Sequence, residues 1–171
     1  MTVLSKLDIR RLILSKPPLI EGYLDLETQL QPNGFDISLR DISALTTQGT
    51  IAVENSLRVI SEPAPLAFDS SGFIDLKPGS YLITHNEVVH LPTNVMALAR
   101  PRSSLLRCGV AVHTAVWDAG YSGRSQSLLV VYNELGFRLQ KDARVLQMVF
   151  LFLSGETEGY KGRYQGENLK S

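Results

Sequence analysis

The chain has 171 residues, 44% of them hydrophobic and 20% charged, which suits a single ordinary domain with a true core and excludes a disordered chain. Seventeen basic and seventeen acidic side chains cancel, against a generic nucleic-acid coat or a membrane-surface binder. One cysteine, Cys108, excludes an internal disulfide framework and any multi-cysteine metal site, and a reduced, cytoplasmic compartment is the simplest setting.

The elements read as follows from the N-terminus. The segment MTVLSKLDIRR lacks the continuous apolar stretch of a signal peptide. Ser5 and Asp8 form a weak capping box for a short helix whose apolar stripe is Leu7, Ile9, Leu12 and Ile13, and Pro17-Pro18 stops it. A long surface connection is predicted over Ser61–Gly72. Lys77-Pro78-Gly79 is a turn opening a strand over Ser80–Leu91. Further strands are predicted over Asn94–Arg100, Val110–Val116, Ser127–Asn133, Phe137–Gln140 and Val145–Leu153, with one short helix at Ser103–Arg107. The longest apolar run, Met148–Leu153, is strand-sized and far short of a membrane span. Short strands with frequent turns point to a sandwich, barrel or jelly roll. Residues 1–153 read as one β domain. Residues 154–171 carry glycines and no apolar period, and read as a mobile C-terminal lid segment.

Three places could carry chemistry. The first is a window from Val88 to Trp117 with no acidic residue, where the chain's overall acid content would put about three. At its centre lie Arg102, Ser103, Ser104 and Arg107. Helix-start N–H groups, two hydroxyls and guanidinium groups can cradle an anion, although a capped surface helix has the same composition. The second is Val116-Trp117-Asp118-Ala119-Gly120-Tyr121-Ser122-Gly123, a tight hairpin. Asp118 could act as a general base on water, Tyr121 could stack on a sugar, and backbone groups could read a base edge; an ordinary turn is the plain alternative. The third is the tail Gly159–Glu167, where aromatic, cationic and amide groups alternate with glycines; it is either a closing segment or a frayed end. His113 reads as a satisfied near-core histidine. No His, Cys or carboxylate cluster suggests a metal site.

Together these segments resemble the dUTPase and dCTP deaminase superfamily, in that family's order. Gln31–Ile37 resembles its first motif, with Asp36 supporting the fold. Leu76–Gly79 and Leu91-Pro92 resemble the strand pair before the phosphate motif, and Pro101–Leu105 resembles that motif. Asp118–Gly123 resembles the catalytic hairpin, and Arg144–Phe150 resembles the late strand with a phosphate-binding glutamine, Gln147. The nearest likeness is to the dCTP-deaminase-like, archaeal-type dUTPases. The resemblance implies a mainly β, distorted jelly-roll or β-clip fold with a short N-terminal helix. It implies a homotrimer with active sites at the interfaces, and dUTP as the partner with no nucleic acid or membrane.

That family holds two chemistries. Its deaminases use a glutamate on the strand after the hairpin; here one register puts Leu128 at that place and the other Val130, and neither exchanges protons. The resemblance therefore implies hydrolysis of dUTP to dUMP and pyrophosphate, with water activated by Asp118 attacking the α-phosphate. Arg102, Ser103, Ser104, Arg107 and Gln147 would bind the triphosphate, with Mg²⁺ carried in on it. Gly120 and Tyr121 would hold base and sugar, and Tyr160, Arg163 and Gln165 would close over them. The alternatives are a dCTP deaminase or bifunctional deaminase/dUTPase, and a catalytically idle nucleotide-binding scaffold.

Overall fold

The computed structural model describes residues 2–169; Met1, Lys170 and Ser171, which end the two predicted segments, lie outside the described residues. In chain order the elements are β1 (Thr2–Val3), α1 (Lys6–Ile13), β2 (Ile20–Glu21), α2 (Leu26–Gln29), β3 (Leu30–Gln31), β4 (Gly34–Leu45), β5 (Pro63–Pro65), β6 (Phe73–Leu76), β7 (Gly79–His85), β8 (Val88–His90), β9 (Val95–Pro101), α3 (Ser103–Arg107), β10 (Val110–His113), β11 (Ser122–Gly123), β12 (Gln126–Val131), β13 (Phe137–Gln140) and β14 (Arg144–Phe152). No helix among the described residues is long and apolar enough to cross a membrane.

Nine strands form one antiparallel sheet in the order β1-β14-β4-β7-β12-β10, with β3 and β5 also on β4 and β9 also on β14. Its curl comes from β4. The first half of β4 pairs with β14 and the second half with β7, with irregular register between Leu39 and Asp41. A bulge of this kind bends and twists a strand. The sheet therefore wraps around Phe35, Ile37, Leu39, Ile42, Ile83, Leu129, Leu146, Met148 and Phe150, all fully buried. A second sheet, β11-β8-β2, carries the hairpin against the main one, and β13 pairs with β6. This is the mainly β, jelly-roll-like architecture that the sequence implies.

The capping box of α1 forms in both directions: Asp8 N–H donates to Ser5 Oγ and Ser5 N–H to Asp8 Oδ2, at 3.3 and 3.1 Å. Ile9 and Ile13 dock, whereas Leu7 is 65% exposed and does not belong to the buried stripe.

Three predicted elements need correction. Ser80–Leu91 is not one strand. It breaks after His85, because Glu87 turns inward, where its carboxylate accepts from Ser38 N–H (3.0 Å), Ser38 Oγ–H (2.7 Å) and Gln29 Nε2–H (2.6 Å). Chain beyond the break joins the second sheet. The connection over Ser61–Gly72 contains β5, which pairs with the end of β4. His113 is exposed at the end of β10, not near-core, with only a long 3.5 Å contact to the Tyr132 hydroxyl.

Candidate active site

Asp118 and its hairpin hang from the edge of β9. Trp117 exchanges two backbone hydrogen bonds with Ala97, at 2.9 and 3.1 Å, so the start of the hairpin is fixed to a core strand. Tyr121 N–H then closes a turn on Asp118 C=O at 3.1 Å. Gly120, third in that turn, has φ +82°, the left-handed conformation a type II turn demands there. The Asp118 carboxylate is exposed, and among the described residues none donates a hydrogen bond to it. It stands at the wall of a cavity of about 420 Å³ that also receives Trp117, Tyr121, Gln126, Tyr160 and Glu167. Cavities of roughly 300–1,000 Å³ suit small-molecule ligands.

The tail lies along the hairpin. The hairpin has two sides: Gly120 N–H donates to Leu91 C=O and Tyr121 C=O accepts from Leu91 N–H on one, where β11 pairs with β8, while Gly120 C=O and the backbone groups of Ser122 and Arg124 face the other. The tail takes that second side. Gln165 donates to Gly120 C=O and accepts from Ser122 N–H, both at 3.0 Å, and Gly166 N–H donates to Ser122 C=O at 2.8 Å. Arg124 N–H donates to Glu167 C=O, and Tyr160 N–H to Ala119 C=O, at 3.0 and 2.8 Å. Tyr160 meets the Tyr121 ring edge-on, centroids 5.8 Å apart. Of the three tail residues the sequence singles out, the structure thus brings Tyr160 and Gln165 to the hairpin. Arg163 is exposed beside them.

The hairpin edge that could read a base is therefore occupied by the tail. Another stretch of backbone remains open. Among the described residues, no hydrogen bond reaches the N–H or C=O groups of Thr114, Ala115 or Val116, and Ala115 and Val116 line the same cavity. Thr114 is partly buried and Ala115 and Val116 are exposed, so these main-chain donors and acceptors are free to bond water or a ligand. Sequence reasoning singled out Val116 at the start of the hairpin but missed Thr114 and Ala115, since open backbone leaves no signature in side-chain type. It also missed Gln126, whose amide lines the cavity and donates to Thr84 Oγ1 at 2.9 Å. Gln126, Leu128 and Val130 share one face of β12 by strand periodicity. The two possible registers of the deaminase position therefore point the same way, and both residues are apolar.

The predicted anion-binding residues lie elsewhere. Arg102 caps α3, leaving Ser103 and Ser104 exposed at its first turn, and Arg107 Nη1 folds back to Ser103 C=O at 3.0 Å. Gln147 lies across from Asp36 on one neighbouring strand and Arg100 on the other. Gly34 makes room for its amide: a Cβ there would come within 2.9 Å of Gln147 Nε2. Asp36, with its side chain 4% exposed, binds Arg102 Nε at 3.1 Å and Arg144 Nη1 at 3.2 Å. Burial raises the Asp36 carboxyl and the two guanidinium groups oppose that rise. Because Asp36 engages Arg102 through Nε, the two Nη groups remain available for a bidentate contact.

One chain does not bring the two sets together. Ala97, which anchors Trp117, and Arg102 are five residues apart on an extended strand, about 17 Å. The cavity at Asp118 receives none of Arg102, Ser103, Ser104, Arg107 or Gln147.

Comparison with known proteins agrees with this architecture. Residues 3–153 match the dCTP deaminase-like family model. The chain is 48% identical over 170 residues to a probable deoxyuridine 5'-triphosphate nucleotidohydrolase of Methanococcoides burtonii, covering 99% of this chain and 100% of that one. It is 49% identical over 171 residues to a protein of the same description from Archaeoglobus fulgidus, covering 100% of both. Among solved structures, the 2'-deoxycytidine 5'-triphosphate deaminase of Agrobacterium tumefaciens superposes with a TM-score of 0.67 at 21% identity, over 88% of this chain and 48% of that one. EIAV dUTPase superposes with a TM-score of 0.51 at 14% identity, over 84% and 95%; at such identities these two speak for the fold alone. By its motifs in order, its curled sheet and a match running from β1 to the end of β14, the chain belongs to the dCTP deaminase-like family.

Proposed function

We propose that the chain is a dUTP diphosphatase, which hydrolyses dUTP to dUMP and pyrophosphate. The observation that carries this reading is the Asp118 carboxylate, exposed, without an internal donor, at the wall of a nucleoside-sized cavity. The face of β12 with Gln126 on that cavity bears apolar Leu128 and Val130, so that strand supplies no acid for work on a pyrimidine ring. The dUTP nucleotidohydrolase relatives, nearly half identical over their full length, support the same substrate.

In this reading the base lies against the open backbone of Thr114–Val116, and Tyr121 packs on the deoxyribose, leaving no room for a 2′-hydroxyl. Asp118 orients a water and takes its proton as oxygen attacks the α-phosphorus, with pyrophosphate leaving. Arg102, Ser103, Ser104, Arg107 and Gln147 hold the triphosphate and stabilise charge developing on its oxygens. Asp36 acts behind them by orienting Arg102. The separation of about 17 Å along the strand supports a homotrimer in which one copy offers the hairpin and another the arginine–serine motif. Tyr160, Gln165 and Arg163 form the lid over this shared site, and the lone cysteine suits a cytoplasmic enzyme. Among the described residues, no three His, Cys, Asp or Glu side chains gather as a metal cage, which suits Mg²⁺ arriving on the triphosphate. When bound there, Mg²⁺ neutralises phosphate charge.

The test offers dUTP, dCTP and dTTP separately with Mg²⁺ and assays pyrophosphate and ammonia. Pyrophosphate from dUTP alone is the expected result. Ammonia from dCTP would replace this reading with deamination.

A further inference from the structure

Resting on that reading, we infer that Glu167 is a positioning residue: it holds the Tyr121 ring in place and so makes discrimination against a 2′-hydroxyl depend on the docked tail. Glu167 is the tail acid that reaches the cavity, since Glu156 and Glu158 are exposed and Glu158 pairs with Lys161. Its Oε1 accepts the Tyr121 hydroxyl at 2.8 Å. Tyr121 is 5% exposed, so its hydroxyl has little water to turn to, and a buried donor without an acceptor is costly.

The surroundings give the phenol one arrangement. Gly123 leaves the space that the hydroxyl fills: a Cβ there would lie 2.7 Å from Tyr121 Oη and 3.3 Å from Glu167 Cγ. Tyr160 closes the ring from the side. Burial keeps the Tyr121 hydroxyl protonated well above its ordinary range, with Glu167 adding to the effect, so it stays a donor. Burial also raises the Glu167 carboxyl, and the bond to Tyr121 opposes that rise. The carboxylate is thus an acceptor delivered by the tail to the far end of a ring whose face is the sugar wall. Glu167 touches no reacting atom and acts through Tyr121.

The experiment compares dUTP with UTP by kcat/KM for wild type, Glu167→Ala, Glu167→Gln, Tyr121→Phe and the Glu167→Ala/Tyr121→Phe double variant. A side-chain hydrogen bond of this kind predicts that Glu167→Ala lowers the dUTP/UTP ratio by about tenfold. Glu167→Gln, which keeps an oxygen acceptor, restores most of the ratio. Tyr121→Phe loses a similar factor, and the double variant falls no further than either single one. An unchanged ratio in Glu167→Ala, or losses that multiply in the double variant, overturns the inference. A second measurement needs no turnover: trypsin cleavage at Lys161 and Arg163 is faster in Glu167→Ala than in wild type or Glu167→Gln, and equal rates overturn the latch. Should the wild type fail to hydrolyse dUTP, the diphosphatase reading falls, while the trypsin comparison still decides whether Glu167 fastens the tail to Tyr121.

Discussion

Replacing Gly120 by alanine separates the tail from the hairpin without touching a polar side chain. Two costs follow from the structure. A left-handed backbone at φ +82° costs an L-residue about 1–2 kcal/mol. The added Cβ would also stand 2.6 Å from Gly159 Cα and 2.9 Å from Tyr160 N, both backbone atoms that cannot rotate away, so the tail must lift. Lifting forfeits at least the bonds from Tyr160 N–H to Ala119 C=O and from Gln165 Nε2–H to Gly120 C=O. Two such bonds are worth about 1–3 kcal/mol net, which shifts the ratio of docked to undocked tail by a factor of about 5–150. Gly72→Ala is the control, because Gly72 has φ +78° but nothing within 4 Å of its would-be Cβ and carries only the first cost. Amide exchange at Tyr160 and Gly166 is the assay. Both amides lose protection in Gly120→Ala and keep it in Gly72→Ala, while both variants melt lower, by about 2–8 °C. Full protection of Tyr160 and Gly166 in Gly120→Ala would refute the docking argument.

The remaining outcomes are as follows. Asp118→Asn leaves nucleotide affinity nearly unchanged and lowers dUTP turnover by a factor of order ~10²–10⁴; normal turnover would place the base elsewhere. Asp36→Ala leaves Arg102 and Arg144 without their shared partner, so stability in urea falls by about 1–3 kcal/mol, kept below the fully buried range because each guanidinium is one-third exposed, and KM for dUTP rises. Burial lowers the pKa of His85 to about 4, with a backbone contact at Ser38 opposing. The unfolded chain therefore takes this proton first as pH falls, and the wild type loses about 3 kcal/mol between pH 6.5 and 4 that a His85→Gln variant does not lose.

Where a segment's pattern is set by its own strand or helix, the sequence suffices. The alternation in β12 and β14, the turn before β7 and the capping box of α1 are local features, and each predicted segment overlaps the observed one. What escapes the sequence is set by partners far along the chain. The first half of β4 is buried on both faces, with Asp36 and Ser38 inside, so it shows no apolar–polar alternation. Its polar face is satisfied by Arg102, Arg144 and Glu87. The same Glu87 bonds break the run from Ser80 to Leu91, which in isolation reads as continuous strand. The glycines of the tail and hairpin are visible as letters, but that Gly120 and Gly159 exist to let two backbones touch is visible only once both are placed.

The choice between the two family chemistries rests on where acids stand relative to the cavity. Leu128 pairs directly with Leu82, which lines the cavity, and Val130 follows on the same face, so in either register the strand position that would carry a proton shuttle is filled by hydrocarbon. An acid does enter from the tail, but Glu167 already accepts the Tyr121 hydroxyl and is held at the phenol end of that ring. To serve a pyrimidine it would have to release Tyr121, stranding a buried donor. Asp118 carries no such obligation. Its carboxylate is exposed and receives no internal donor among the described residues, as a group that must accept a proton from water requires. In the proposed diphosphatase the carboxylate with a structural duty and the one without would divide the labour: Glu167 would shape the wall, and Asp118 would be left to work on the phosphate.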